Sequence, residues 1–553
     1  PADQPVQAII LPYGIHPNMH IYDIAEFEQP APAIEGFTFA WTLEVPEGSS
    51  AELLADGVVA IFLADVEGHY HLTLTATDAN GNSGETTWVV TATTYVGVGG
   101  VDGSVPQAPE CAACHVTRVE AWAATAHATM FSQAIDGLKS DHYNEGCIWC
   151  HTTGFNDLPT AVNGGFDDLA AMHGWAFPEV LEEGNWEAMV AEHPEVAALA
   201  NIQCESCHGP GNAHFTGDPT AMGPIGLGLD YGTCAQCHAE EPYHVFPQQW
   251  EVSGHARKNA QSFTYPIGEA RAACVRCHSG LGFIDWANGV PTDQQRTDYQ
   301  IITCAVCHNP HDAANPDQLR VFDSVILPDG TDVSGAGPAA TCMSCHNART
   351  NPVPSVEGER FATPHYSTAA ELMSGTGGYT WGESLPTGLH GMIIENTCIS
   401  CHMAPTPGMD DDGNPLPGHN VVGGHTFAMT SADGVENLAA CTSCHAGIES
   451  FAFAASGDYD GDGAVETGPE ELDGLKALVQ EQLEAQGVEV LAHYPYFTLP
   501  EGASVDVKGA AYNLKFAKGG GAADHNFKYV VALLQLSYEK LAGEPVPGAD
   551  IMR

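Results

Sequence analysis

The chain has 553 residues, room for about two to four domains, and its 60 glycines and 36 prolines favour turns over long elements. With 70 acidic residues against 17 basic ones the formal charge is −53, which makes nucleic acid and anionic membrane surfaces poor partners and leaves solubility, or attraction of metal ions and basic proteins, as the roles of that charge. The 18 cysteines are about 3% of positions, too sparse for a disulfide framework, and apolar runs such as "VVAIFLADV" and "YVVALLQL" fall short of the ~18 residues of a membrane span.

Residues 1–98 hold no cysteine and alternate apolar with polar positions. In "FTFAWTLEV", Phe37, Phe39, Trp41, Leu43 and Val45 share one face; in "HYHLTLTAT", Tyr70, Leu72, Leu74 and Ala76 do, and Asn80-Gly81 turns that strand back into "TTWVVTATT". With "VQAIIL", "IYDIAEF", "AELLA" and "VVAIFL" the segment offers about seven short strands, the size of an immunoglobulin-like β-sandwich. The stretch "VEGHYHLTLTATDANGNSGETTWVVTATT" is similar to the closing strands of polycystic-kidney-disease-type domains, which implies a spacing, adhesion or contact role at a cell surface. His69 and His71 fall on the polar face of their strand and read as solvated.

A glycine-rich linker, residues 99–110, leads into residues 111–449, where the 18 cysteines form nine Cys-x-x-Cys-His motifs with none left over. In chain order these are Cys111, Cys114 and His115; Cys147, Cys150 and His151; Cys204, Cys207 and His208; Cys234, Cys237 and His238; Cys274, Cys277 and His278; Cys304, Cys307 and His308; Cys342, Cys345 and His346; Cys398, Cys401 and His402; and Cys441, Cys444 and His445. Cys-x-x-Cys alone fits a zinc site, a dithiol redox centre or c-type haem attachment. A histidine after every pair, when histidine is only 27 of 553 residues, selects haem: the thiols bind the porphyrin vinyl groups and the imidazole is the proximal iron ligand. Nine covalently bound haem c groups are therefore expected, and attachment after export places the protein extracellularly or at the cell surface. The chain opens without a basic and apolar leader, as a processed product would. Motif spacing runs unevenly from 30 residues to more than 50, so no solenoid is expected. The porphyrins would supply apolar mass that a turn-rich chain lacks, so residues 111 to 450 are expected to need haem to fold.

Nine proximal histidines leave 18 others, twice what nine six-coordinate irons require. The candidate distal ligands are His127 and His255, each on an expected helix behind a tryptophan; His214 and His311, which closely follow motifs; and His365, His390, His425, His525 and His142. His16 and His20, in an amino-terminal loop, could reach a haem of this or a neighbouring subunit, whereas His173, His193, His244, His419 and His493 read as structural. A bis-imidazole iron is low-spin with no open position, which suits electron transfer rather than substrate chemistry.

Residues 450–553 open on "DYDGDGAVETGPEELDG", in which Asp458, Asp460, Asp462 and Gly463 match the first half of a calcium loop. Its twelfth position is Pro469, so Glu470 or Glu471 would have to replace the usual bidentate carboxylate; a solvated acidic turn is the alternative. Pro469 begins a helix with Leu472, Leu475, Leu478, Val479 and Leu483 on one face, ending at Gly487. A last helix runs from about Asp524 to Leu541, with Phe527, Val530, Val531, Leu534, Tyr538 and Leu541 at helical spacing and His525 at its start.

Across roughly 140 to 535, "CIWCHTTGF", "NIQCESCHGPGNAH", "CAVCHNPHD", "CISCHM" followed by "GGHTF", and "HNFKYVVALLQ" resemble the extracellular multihaem c-type cytochromes, which pass electrons to outside acceptors. The terminal helix is also similar to that of the lineage of pentahaem nitrite reductases and octahaem hydroxylamine oxidoreductases, although the Cys-x-x-Cys-Lys of the nitrite reductases has no counterpart here. The resemblance implies an electron conduit to metal oxides, shuttles and other cytochromes, with no catalytic side chain and with filament formation open to it. The alternative is a reductase of nitrite, hydroxylamine or a sulfur oxyanion at one five-coordinate haem, with Arg276, Lys258 and Arg271 as the basic residues near motifs. The expected fold is multidomain: an amino-terminal immunoglobulin-like β-sandwich, then a loop-rich, mainly α multihaem cytochrome region whose carboxy-terminal helices pack on the haems.

Overall fold

A computed structural model of the chain describes residues 7–11, 36–57, 59–98, 111–156, 164–215, 231–239, 244–257, 272–297, 300–410 and 413–552. It divides into two compact units, Pro1–Gln248 with His255–Gln318, and Gln249–Gly254 with Leu319–Arg553. The amino-terminal strands thus share a unit with the first six Cys-x-x-Cys-His motifs and the carboxy-terminal helices with the last three, a division that cuts across the four segments read from the sequence.

In the first unit six strands are described: β1 (Gln7–Leu11), β2 (Phe37–Glu44), β3 (Leu53–Asp56), β4 (Val59–Leu63), β5 (Gly68–Asp78) and β6 (Ser83–Ala92). The expected strand "IYDIAEF" and His16 and His20 lie outside the described residues. β2, β5 and β6 form an antiparallel sheet in that order, with Trp41 opposite Leu74 and Leu72 opposite Trp88. A second sheet runs β1-β4-β3, with β1 parallel and β3 antiparallel to β4. Period-two alternation sends Tyr70 and Leu72 inward, both at 0% exposure, into a cluster with Phe62, Ala64, Val90 and Ala92 to which both sheets contribute. His69 and His71 are half-buried on the other face. At the β5–β6 turn the Asp78 carboxylate accepts from the Asn80 and Asn82 amides and the Asn82 side chain, and these bonds, Asn82 foremost, hold its pKa below the usual carboxylate range.

Beyond β6 the chain enters the haem-motif region as a clamped strap. Tyr95 joins an apolar cluster with Phe131, Ile135, Ile148, Phe166 and Val196. The Glu205 carboxylate, inside the third motif and at 0% exposure, accepts from the backbone N–H groups of Val96, Gly97 and Gly211 at 2.6–3.2 Å. Gln203 accepts from the Val98 amide at 2.7 Å and donates to Ala198 and Ala200 carbonyls. The amides of Val96, Gly97 and Val98 therefore all find acceptors on the loop that carries Cys204 and Cys207.

The second unit is centred on three helices, α1 (Gly468–Ala485), α2 (Val505–Ala517) and α3 (Ala522–Ala542). Leu472, Leu475, Val479 and Leu483 of α1 pack with Ala510 and Leu514 of α2 and Val530, Val531 and Leu534 of α3, all essentially buried. Apolar periodicity forecasts α1 and α3. It misses α2, whose pattern is broken by Gly509 and Asn513, because both positions are core for reasons other than hydrophobicity. A side chain at Gly509 would collide with Tyr379 and Trp381, while Asn513, at 0% exposure, donates to the Tyr379 carbonyl and Ser537 and accepts from the Tyr379 amide. The remaining α-helices among the described residues are only four to eight residues long, and no described helix is long and apolar enough to cross a membrane.

Candidate haem sites

The attachment motifs sit on short helical turns. Helices Cys111–Cys114, Ile148–His151, Cys204–His208, Gly232–His238, Ala272–His278, Cys304–Cys307 and Cys398–His402 carry seven of them. Ala339–Met343 leads into an eighth, where the Cys345 amide turns back to the Cys342 carbonyl at 3.1 Å, and at the ninth the amides of Cys444 and His445 do the same to the Cys441 carbonyl. A helical turn places residues three apart on one face, so each pair of thiols presents side by side. All 18 cysteines are unbridged, and Cys274 with Cys277, like Cys342 with Cys345, is half-buried rather than sealed in the core. Among the described residues no three cysteine or histidine donors converge within 4.8 Å, which a zinc site built from these motifs would require.

Thiols of different motifs also meet. The Cys111 thiol lies beside that of Cys204, Cys207 lies near Cys237, and the Cys237 thiol reaches the Cys150 carbonyl at 4.0 Å. In the second unit the Cys342 thiol lies beside that of Cys398, and Cys401 neighbours Cys441. The motifs are thereby ordered in space as 111, 204, 234, 147 in one unit and 342, 398, 441 in the other.

The imidazoles carry the more telling geometry. Ring centroids lie 6.5 Å apart for His115 and His214, 6.0 Å for His208 and His311, and 6.2 Å for His127 and His238. In the second unit His402 and His525 are 6.2 Å apart and His390 and His445 6.1 Å. Two imidazoles bonded to one metal at about 2 Å each would hold their centroids about 6 to 6.5 Å apart. Each of these five pairs joins a motif histidine to a candidate distal one from elsewhere in the chain, and His214 faces the first motif rather than its own.

Hydrogen bonds fix the rings. Nδ1 of His308 faces the Asp317 carbonyl at 2.7 Å, that of His402 the Phe427 carbonyl at 2.9 Å, and that of His390 the Asp524 carbonyl at 2.9 Å, leaving Nε2 as the donor atom for a metal. His346 Nδ1 meets the Ser367 hydroxyl at 3.2 Å. Burial, with neighbouring imidazoles second, brings the pKa of His151, His208, His238 and His525 down to about 4, and burial also lowers His127 and His346. These groups are neutral at pH 7, the form whose lone pair ligates iron. The buried Nδ1 atoms of His151 and His238 lack the protein acceptor that Nδ1 finds in His308, His390 and His402. Thiol pairs, neutral imidazoles and centroid spacing all fit haem c.

The other candidates are placed as follows. His365 stacks on Tyr366 with centroids 4.6 Å apart, and the His425 amide donates to Gln249. His142 is exposed, whereas His255 and His278 are half-buried. His244, read from the sequence as structural, packs edge-on against His238 at 5.6 Å and neighbours His151. No periodic context in "EPYHVF" could have signalled that. His419 has both ring nitrogens engaged, by the Pro407 carbonyl and the Asn420 amide, and His173 approaches Glu195. Of the basic residues, Arg276 lies 3.7 Å over the Trp286 ring, and Lys258 and Arg271 lie outside the described residues.

Oxygen atoms of Asp458, Asp460 and Asp462 gather within 4.8 Å. Neither glutamate expected to complete that loop joins them: Glu470 accepts from the Thr467 amide and hydroxyl to cap α1, and Glu471, at 0% exposure, accepts from the amides of Tyr459, Asp460 and Glu466.

Such an array of thiol pairs and facing imidazoles, repeated along one chain, defines a multihaem c-type cytochrome. Comparison with known proteins agrees: residues 300–351 match the family described as doubled CXXCH motif, and residues 110–166 match cytochrome c554 and c-prime. The C-type polyheme cytochrome OmcB of two strains of Geobacter sulfurreducens is 24% identical over 353 residues, covering 55% of this chain and 43% of that protein. The chain thus spans under half the length of these curated relatives. No solved structure matches.

Proposed function

We propose that this chain is an exported electron conduit in which nine haem c groups, one per motif, pass single electrons toward extracellular acceptors such as metal oxides, shuttles or other cytochromes. The observation that carries the reading is the set of five histidine pairs at 6.0–6.5 Å, which would leave those irons no open position for a substrate. The haems supply one-electron redox chemistry. The chain's part is to attach them through the motif thiols, orient the imidazoles through Nδ1, and set adjacent motifs close enough for transfer. The formal charge of −53 suits cationic partners at the ends of the path.

Three finer elements belong to the same reading. The two facing amino-terminal sheets act as an immunoglobulin-like spacer or contact module at the cell surface; His16 or His20 completes a haem of the next subunit in a filament; and Asp458, Asp460 and Asp462 hold calcium. Low-temperature EPR of the oxidised protein tests the main proposal, with low-spin signals expected from every haem. A high-spin haem whose signal shifts on addition of nitrite or hydroxylamine would replace the conduit with a reductase.

A further inference from the structure

The two ligand pairs of the second unit, His402 with His525 and His390 with His445, converge on one residue that is not a ligand. α3 is interrupted at its fifth residue, Asn526, whose backbone is extended (φ −162°, ψ 71°) and whose side chain is 3% exposed. The Asn526 amide fills the break completely. Its Oδ1 accepts from the Tyr529 amide at 3.2 Å, capping the rest of α3, and from the Gly388 amide at 2.7 Å. Its Nδ2 donates to the Leu372 carbonyl and to the Thr387 hydroxyl, both at 2.8 Å.

Each bond has a consequence for a histidine. The interruption lets Gly521–His525 form its own turn, with the His525 amide on the Gly521 carbonyl and the imidazole against Gly521, where a Cβ would come within 2.7 Å of the ring. The bonds to Thr387 and Gly388 hold the segment that enters helix His390–Ile393, and the same turn of α3 offers the Asp524 carbonyl to His390 Nδ1 at 2.9 Å. That short helix is seated tightly, since a Cβ at Gly391 would strike the Met373 carbonyl, next to the Leu372 carbonyl that Asn526 holds.

We infer that Asn526 is a positioning residue shared by two distal ligands, a bracket that sets His525 toward the His402 site and His390 toward the His445 site together, so that the two adjacent sites gain or lose their sixth ligand as a unit. The inference rests on the bis-imidazole reading above. The test is EPR and optical spin state of the purified holoprotein. Asn526→Ala should convert two haems from low-spin to high-spin with haem content unchanged, and free imidazole added to the solution should restore both. Gly521→Ala, which crowds the His525 ring and strains the left-handed backbone of Gly521 (φ +70°), should convert the haem of the His402 site. Thr387→Val, which removes one of the four bonds and leaves the cap intact, should shift the low-spin signals of the same two haems even if the alanine variant fails to fold. One converted haem or none in Asn526→Ala, or shifts confined to one haem in Thr387→Val, would overturn the bracket while leaving bis-imidazole ligation standing. High-spin iron at either site in the unsubstituted protein would overturn both.

Discussion

Glu205→Ala should loosen the first unit by about 3 to 5 kcal/mol, since it orphans two buried backbone donors and a half-buried one at about 1 to 3 kcal/mol each with partial relief from entering water. The donors are the amides of Val96, Gly97 and Gly211, all held by the two carboxylate oxygens. Hydrogen exchange locates the damage: the Val96 and Gly97 amides should lose protection while those of β5 and β6, whose ladder does not involve Glu205, keep theirs. Glu205→Gln, with one acceptor oxygen instead of two, should fall between. Unchanged protection of Val96 and Gly97 in the alanine variant would show that the strap is held by something else.

The second unit contains the opposite case, a buried carboxylate with too few donors. Glu371, also at 0% exposure, accepts from a single amide, that of Ala348, at 2.8 and 2.9 Å, two residues past His346. Burial, with a small addition from the Asp329 charge, pushes its pKa from 4.5 up to about 7. Tyr512 and Tyr529, whose pKa values are pushed above the usual tyrosine range by burial, face the same charge. Between pH 4.5 and 7 the folded protein keeps a proton that the unfolded chain has released, so stability falls as pH rises through that window. The full loss is about 3 kcal/mol, complete above pH 7 and absent below 4.5. Glu371→Gln retains an acceptor for the Ala348 amide and cannot ionise. The unfolding free energies of the two proteins should therefore separate steadily with rising pH, the variant becoming the more stable. A gap that stays constant from pH 4.5 to 8 would contradict this.

The contrast between the two glutamates marks where sequence reading stops. Both stand beside haem motifs and nothing local distinguishes them; the difference is the number of amides that distant backbone brings to each. The motifs are legible because their chemistry is fixed within five residues, as at Cys204–His208, and so are β2, β5, β6, α1 and α3, whose apolar periods are long. The candidate distal ligands are legible only as a pool. That His214 faces His115, or His525 His402, depends on folding across tens of residues. The approach of His244 to His238 escapes notice because a histidine in a loop has no period to betray it, and α2 because its core positions include an asparagine satisfied from Tyr379 and Ser537.

Everything rests on the motif thiols being thioether-bound to porphyrin. Mass spectrometry of the intact, purified chain under denaturing conditions measures this directly, because covalent haem survives conditions that strip metal ions and non-covalent cofactors. The account predicts the mass of the polypeptide plus nine haems; the bare polypeptide mass, with or without zinc in the native sample, would contradict it.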